Sequence, residues 1–275
     1  MGGRWQPLHC GLAESCRCGA RVVSSSASKS PALHGRVVVI TRPAGTSAAL
    51  AGRVRACGGV PLLLPGLSLR GATDGTGLRE AMRAALGDDV LVFTSPAAVR
   101  FAAALAPLRT KAVVLAVGQG TARALRRHGV RDPLAPARQD SEGLLAHPAL
   151  QNLRGRRVTL VGAPGGRGLL RGQLAARGAR LREVQVYRRV PPRLDRRHVA
   201  AMQALPRSAW VLLSSNEALQ NLCRLLPPPA LARLRAATAV VSSERLAAAA
   251  RAAGFSRIVL AASAVADDLL AAAAR

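Results

Sequence analysis

From Gly35 onward, short apolar runs alternate with longer Ala/Leu/Arg stretches. VVVI (37–40), VLVF (90–93), VVLAV (113–117), VTLV (158–161), WVLL (210–213) and IVLA (258–261) are apolar almost throughout. Such runs predict strands buried on both faces. Between them, apolar residues fall at helical spacing; Leu219, Leu222, Cys223 and Leu226 follow i, i+3, i+4, i+7 and mark one buried helix face. Strands alternating with helices predict parallel sheets covered on both sides.

The pattern repeats. GRVVVITRPAG, starting at Gly35, reappears as GRRVTLVGAPG starting at Gly155, a displacement of 120 positions. Gly45, Leu50 and Gly58 fall on Gly165, Leu170 and Gly178, and VLVFTSPAAV (90–99) falls on WVLLSSNEAL (210–219). Past the proline-rich LLPPPAL (225–231) the displacement becomes 125, so that Gly129 meets Gly254 and Leu144–Leu145 meets Leu269–Leu270. The chain therefore reads as two similar α/β units of about equal size.

Polar residues follow the strands at corresponding places: Thr41–Arg42, Thr94–Ser95, Gly118 to Thr121, Gly165 to Arg167, Ser214 to Asn216 and Ser242–Ser243. In open parallel sheets, ligands bind beyond the carboxyl ends of the strands, where helix N-termini favour anions. The same residues also suit helix capping. Ser95 before Pro96 fits an N-cap with proline at the first helical position, and Ser214-x-x-Glu217 fits a capping box. A cap can also offer its spare hydrogen-bonding capacity to a ligand, so both readings stand.

Composition narrows the choice. Hydrophobic residues make up 49% and aromatics 2%, so the core is aliphatic. The net charge is +26, carried almost wholly by arginine; Lys29 and Lys111 are the only lysines. Such a field attracts a polyanion, but the aromatic platforms of single-strand binders are missing, so no nucleic-acid partner is expected. No run approaches the roughly 20 apolar residues of a membrane span. Five cysteines, with no paired CxxC spacing, fit a reducing cytoplasm. His9, Cys10, Cys16 and Cys18 lie in residues 1–33, read as a flexible tail, and no metal site is assigned to them. That tail has no apolar core of signal-peptide type, and its Arg/Ser richness faintly resembles a transit peptide. G-x-S-x-G, HExxH and Walker patterns are missing, and the few carboxylates form no evident pair. An enzyme built this way uses little side-chain chemistry.

VVVITRPAG, VFTSPAAV, AVGQGTA, SEGLL, GGRGLLRGQLAARGARLREVQVYRR, LLSSNEAL and SERLAAAARAAGF, in that order, resemble the bacterial uroporphyrinogen-III synthases from about Arg36 to the C-terminus. The resemblance implies two doubly wound, flavodoxin-like parallel-sheet domains joined by a two-stranded hinge. Carried onto this chain, they comprise 34–66 with 190–275, and 67–189, with crossings near 61–70 and 183–192. It also implies a cofactor-free reaction in which hydroxymethylbilane, a linear tetrapyrrole with eight carboxylates, loses water and closes with its terminal ring inverted. A monomer is expected, with the enzyme that forms hydroxymethylbilane as a candidate partner. The alternative is a non-catalytic ligand-binding or regulatory module of the same fold.

The implied substrate-binding positions are Thr41, Arg42, Thr94, Ser95, Gly118, Thr121, Gly165, Gly166, Arg167, Ser214, Ser215 and Ser243. The chain departs from the family at Ala163–Pro164, where many members have Arg-Gly, and Thr121 corresponds to Leu246 in the second unit. Tyr187, the only tyrosine, falls on the second crossing. Its phenol is the candidate general acid for water loss; a half-buried ring that stiffens the crossing is the structural alternative.

Overall fold

A computed structural model describes residues 32–73, 75–165 and 168–274. The metal-ligand types in the tail, and Gly166 and Arg167, lie outside the described residues. Leu33, assigned to the tail from sequence, is fully buried, and its N–H donates to the Cys57 carbonyl at 2.7 Å.

In chain order the elements begin with β1 (Val37–Ile40), α1 (Ala48–Ala56), β2 (Val60–Leu63), β3 (Ser68–Gly71) and α2 (Gly75–Ala85). There follow β4 (Val90–Phe93), α3 (Pro96–Leu105), β5 (Val113–Ala116), α4 (Gln119–Arg127), α5 (Ser141–Ala146), β6 (Arg157–Gly162), α6 (Gly168–Ala176) and β7 (Arg180–Gln185). The chain ends with β8 (Tyr187–Val190), α7 (Arg196–Gln203), β9 (Trp210–Leu212), α8 (Asn216–Leu225), α9 (Pro228–Ala236), β10 (Thr238–Val241), α10 (Glu244–Ala252), β11 (Ile258–Leu260) and α11 (Ala266–Ala273).

Two parallel sheets form, as the strand–helix alternation predicts. The larger has the order β11-β10-β9-β1-β2 and the smaller β5-β4-β6-β7. Taken in chain order, the larger sheet is 2-1-3-4-5, the flavodoxin-like winding. Alternate residues of each strand enter opposite cores. Val38 and Ile40 pack toward Leu50, Val54 and Leu270, whereas Val39 packs with Leu219, Leu222 and Leu234. In the smaller sheet, Leu91 and Phe93 face Val99 and Leu125, while Val90 and Val92 face Leu144, Leu170 and Leu174. Helices thus cover both faces of both sheets.

Strands displaced by 120 or 125 positions take equivalent places: β6 stands where β1 does, β4 where β9 does and β5 where β10 does. The smaller sheet stops short of a fifth strand. At the position equivalent to β11, only Leu134 pairs, through a parallel bridge to Leu115. Leu134 exchanges backbone hydrogen bonds with Val114 and Ala116. Pro133 and Pro136 flank it and supply no N–H to extend the ladder.

The chain leaves the larger sheet after β2, builds the smaller one and returns. β3 and β8 form the connection, an antiparallel ribbon pairing Ser68 with Val190 and Gly71 with Tyr187. The sequence pattern did not single out β2, β7 or β10 as strands. β2, at the edge of the larger sheet, has no fully buried residue, and β7 at the edge of the smaller one is half charged.

Candidate active site

Extended backbone carries the chain from the end of β4 into α3. Ser95 (φ −168°) caps that helix, its Oγ accepting from the Ala98 N–H at 3.0 Å with proline following. The same Oγ lies 3.1 Å from the Tyr187 hydroxyl. The Tyr187 ring stacks on Phe101, with centroids 5.4 Å apart and planes 14° apart. At 6% exposure it is buried rather than half-buried. Packing fixes the ring and leaves its oxygen at the mouth of a helix cap.

The opposing wall comes from the larger sheet. Thr41, directly after β1, is wholly buried and donates to the Leu212 carbonyl at 2.8 Å. Its Oγ1 accepts from the Ser214 N–H at 3.1 Å, and the Ser214 hydroxyl donates to the Thr41 carbonyl at 3.1 Å. The pair staples β1 to β9 where the strand order reverses, the usual ligand position in such sheets. Ser214 is therefore not the helix cap expected from Ser214-x-x-Glu217. Ser215 caps α8 instead, accepting from the Ala218 N–H at 3.1 Å, with the same φ and ψ as Ser95. Glu217 is left free of any capping box and pairs with Arg189 of the ribbon at 3.3 Å.

Between these walls lies a cleft of about 560 Å³. Its polar lining includes Arg42, Ser95, Tyr187, Arg189, Ser214, Ser215 and Glu217, set among Leu50, Leu67, Leu69, Leu212 and Leu269. Burial holds the Arg42 guanidinium below its ordinary pKa, yet an arginine remains a cation at neutral pH. Arg42 has no hydrogen-bonding or ionic partner among the described residues. An apolar cleft edged with cations and hydroxyls suits a large organic anion.

The remaining positions singled out from sequence stand elsewhere. Thr94 donates to the Val161 carbonyl at 3.2 Å and is packed so closely on Gly162 that a Cβ there would lie 2.4 Å from its Oγ1. The N-terminus of α4 at Gly118 is covered by Gln139, whose Oε1 accepts from the Gln119 N–H at 2.9 Å. Thr121 is buried in that helix, and Gly165 makes a turn with φ +72°. Ser243 caps α10, and its neighbour Ser242 reaches the cleft instead. Among the described residues, no group of three or more His, Cys, Asp or Glu is placed to hold a metal. No described helix is long and apolar enough to cross a membrane.

A family model described as uroporphyrinogen-III synthase HemD matches residues 48–271. The chain belongs to the uroporphyrinogen-III synthase family. It is 32% identical over 235 residues to uroporphyrinogen-III synthase of Salmonella typhimurium, covering 80% of this chain and 93% of that one. The Escherichia coli enzyme is also 32% identical, over 229 residues and the same shares. Solved structures of family members share the fold: Helicobacter pylori uroporphyrinogen-III synthetase superposes with TM-score 0.57 at 15% identity, covering 86% of this chain and 96% of that one. A mutant Thermus thermophilus synthase gives 0.53 at 22%, with the same coverage.

Sequence reasoning did not assign Arg189 or Glu217 to the cleft, and it placed Ser243 rather than its neighbour Ser242 among the binding positions. Arg189 was within reach of it, because residues two apart on a strand share a face and Arg189 is two from Tyr187. Glu217 was hidden by its fit to a cap.

Proposed function

We propose that this chain is a hydro-lyase that closes hydroxymethylbilane to uroporphyrinogen III with inversion of the terminal pyrrole ring. It serves tetrapyrrole and heme biosynthesis in the cytoplasm, working as a monomer. The observation that carries the reading is the Tyr187 hydroxyl, held 3.1 Å from Ser95 Oγ on the wall of the cleft. Ser95 Oγ already accepts the Ala98 N–H. Its own proton is therefore free to be donated to the phenol oxygen, which leaves the phenol proton for the substrate.

On this reading, the terminal pyrrole nitrogen pushes its electron pair toward the hydroxymethyl carbon. The carbon–oxygen bond breaks, Tyr187 protonates the departing hydroxyl, and water leaves. The resulting azafulvenium cation is attacked by the substituted position of the far ring, giving a spiro intermediate. That intermediate fragments and recombines with the ring inverted. The proton lost when the last pyrrole ring regains its aromaticity returns to the phenolate. Ser95 steadies the phenolate meanwhile. Electron-rich pyrroles drive the carbon chemistry, so the protein chiefly orients the chain. That accords with the lack of a carboxylate pair. Arg42 and Arg189 offer charge to the substrate's carboxylates.

We further propose that residues 34–66 with 190–275, and 67–189, act as two bodies about the β3–β8 ribbon. A non-catalytic module of the same fold has less support, since it gives no reason for a phenol on the wall of the cleft. The deciding experiment supplies enzymatically generated hydroxymethylbilane and measures the product isomer. Type III product is expected; type I alone, at the spontaneous rate, overturns the reading.

A further inference from the structure

A further inference, resting on the cyclisation reading, concerns Arg189 and Glu217. Two cations, Arg42 and Arg189, and one carboxylate, Glu217, belong to the described lining of the cleft. Arg42 has no described partner. Arg189 is held by Glu217 through a single contact, Nη1 to Oε2 at 3.3 Å, with side chains 37% and 43% exposed. An end-on, partly solvated pair of this kind is weak and is displaced cheaply. Glu217 also sits in the first turn of α8, where the helix N-terminus stabilises a carboxylate without help from arginine. Both partners can therefore separate at small cost. Arg189 is moreover two residues from Tyr187 on β8. At about 3.3 Å per residue, the two lie roughly 7 Å apart along one face of the ribbon.

We propose that Glu217 is a placeholder for a substrate carboxylate: it holds Arg189 toward the cleft and yields it when the linear tetrapyrrole binds. Arg189 is then a substrate-binding residue that sets the register of a pyrrole substituent against the Tyr187 phenol. Glu217 is a positioning residue that acts through Arg189. A carboxylate in a cleft built for polyanions is otherwise unfavourable, because it repels the ligand.

Steady-state kinetics on the full-length chain test this, using enzymatically generated hydroxymethylbilane and product-isomer analysis. Glu217→Gln keeps the side-chain length and removes the competitor, so KM should fall about two- to fivefold, the scale of a partly exposed ion pair. Arg189→Gln should raise KM roughly tenfold, as expected for loss of a charge-assisted hydrogen bond, and should increase the share of type I product. In the Arg189→Gln background, Glu217→Gln should give no further fall in KM. A parental KM in Glu217→Gln overturns the placeholder. So does a fall in KM that persists without Arg189, because that is simple repulsion. A wild-type chain that forms no type III isomer overturns the functional reading and the placeholder together. Type III formation by the wild type, with parental KM in Glu217→Gln, overturns the placeholder alone.

Discussion

Replacing Tyr187 by phenylalanine keeps the ring that stacks on Phe101 and deletes only the oxygen shared with Ser95. If the phenol is the general acid, turnover falls by about 10²–10⁴-fold. The product also shifts toward the type I isomer, because spontaneous closure competes. The fold loses one part-buried hydrogen bond, about 1 kcal/mol, so melting should fall by only about 2–4 °C. Parental rate and isomer ratio in Tyr187→Phe would leave the tyrosine as packing. Ser95→Ala separates two roles of one hydroxyl. Loss of the α3 cap should cost about 1 kcal/mol, visible in thermal melts, while loss of the phenol's partner should slow turnover. The cap was legible because serine before proline is a local signal. The contact with Tyr187 was not, since the two residues are 92 positions apart and meet only after β4 and β8 are both in place. Arg42 was legible as the residue following a strand end. The burial of Thr41 was not, because nothing local says that Ser214 will take its hydroxyl.

At the scale of elements, sequence reading succeeded at continuous apolar runs, the edge strand β11 among them, and missed the edge strands β2 and β7 and the buried inner strand β10. β1, β4 and β9 are continuous apolar runs; β2 and β7 are not, and backbone pairing rather than apolar burial holds them. The link from β2 into the ribbon depends on a close approach that only glycine permits. A Cβ on Gly66 would lie 2.5 Å from the Ala218 Cβ and 2.9 Å from its Cα, and the Gly66 carbonyl accepts from buried Asn221 at 2.9 Å. Gly66→Ala should therefore destabilise the fold by about 1–3 kcal/mol through overpacking, measured by denaturant unfolding. Parental stability would mean that α8 shifts freely. Helix α5 makes a pH prediction. The Asp140 carboxyl is held below its usual range, first by the Gly143 N–H that it accepts and then by Arg138. A carboxyl with a depressed folded pKa stabilises the fold above its unfolded value, near pH ~4, and loses that contribution as pH falls through the folded value. Asparagine caps as well as aspartate but does not titrate there. Asp140→Asn should thus melt with a shallower acid dependence below about pH 4 than the parent; equal slopes would remove Asp140 from the acid response.

Across the whole molecule, the internal repeat anticipated that two parallel sheets of equivalent strand order would form. It did not reveal how their strand ends face each other. That arrangement comes from the ribbon: four residue pairs connect the sheets, and Tyr187 and Arg189 ride on one of its strands. The cleft is thus assembled from both sheets, Arg42, Ser214 and Ser215 following strands of one and Ser95 following a strand of the other. A ligand that touches both walls favours the closed arrangement by the difference in contacts between closed and open forms. A connection of only two short strands resists rigid-body rotation weakly. Product binding should therefore compact the chain. Small-angle scattering of the full-length protein, with and without uroporphyrinogen III, should show a smaller radius of gyration in the bound state. Arg42→Gln, which removes a contact from one wall only, should lessen the compaction at saturating product. Identical scattering profiles with binding confirmed by calorimetry would mean that the cleft is already closed, and that the substrate enters through side-chain movement alone.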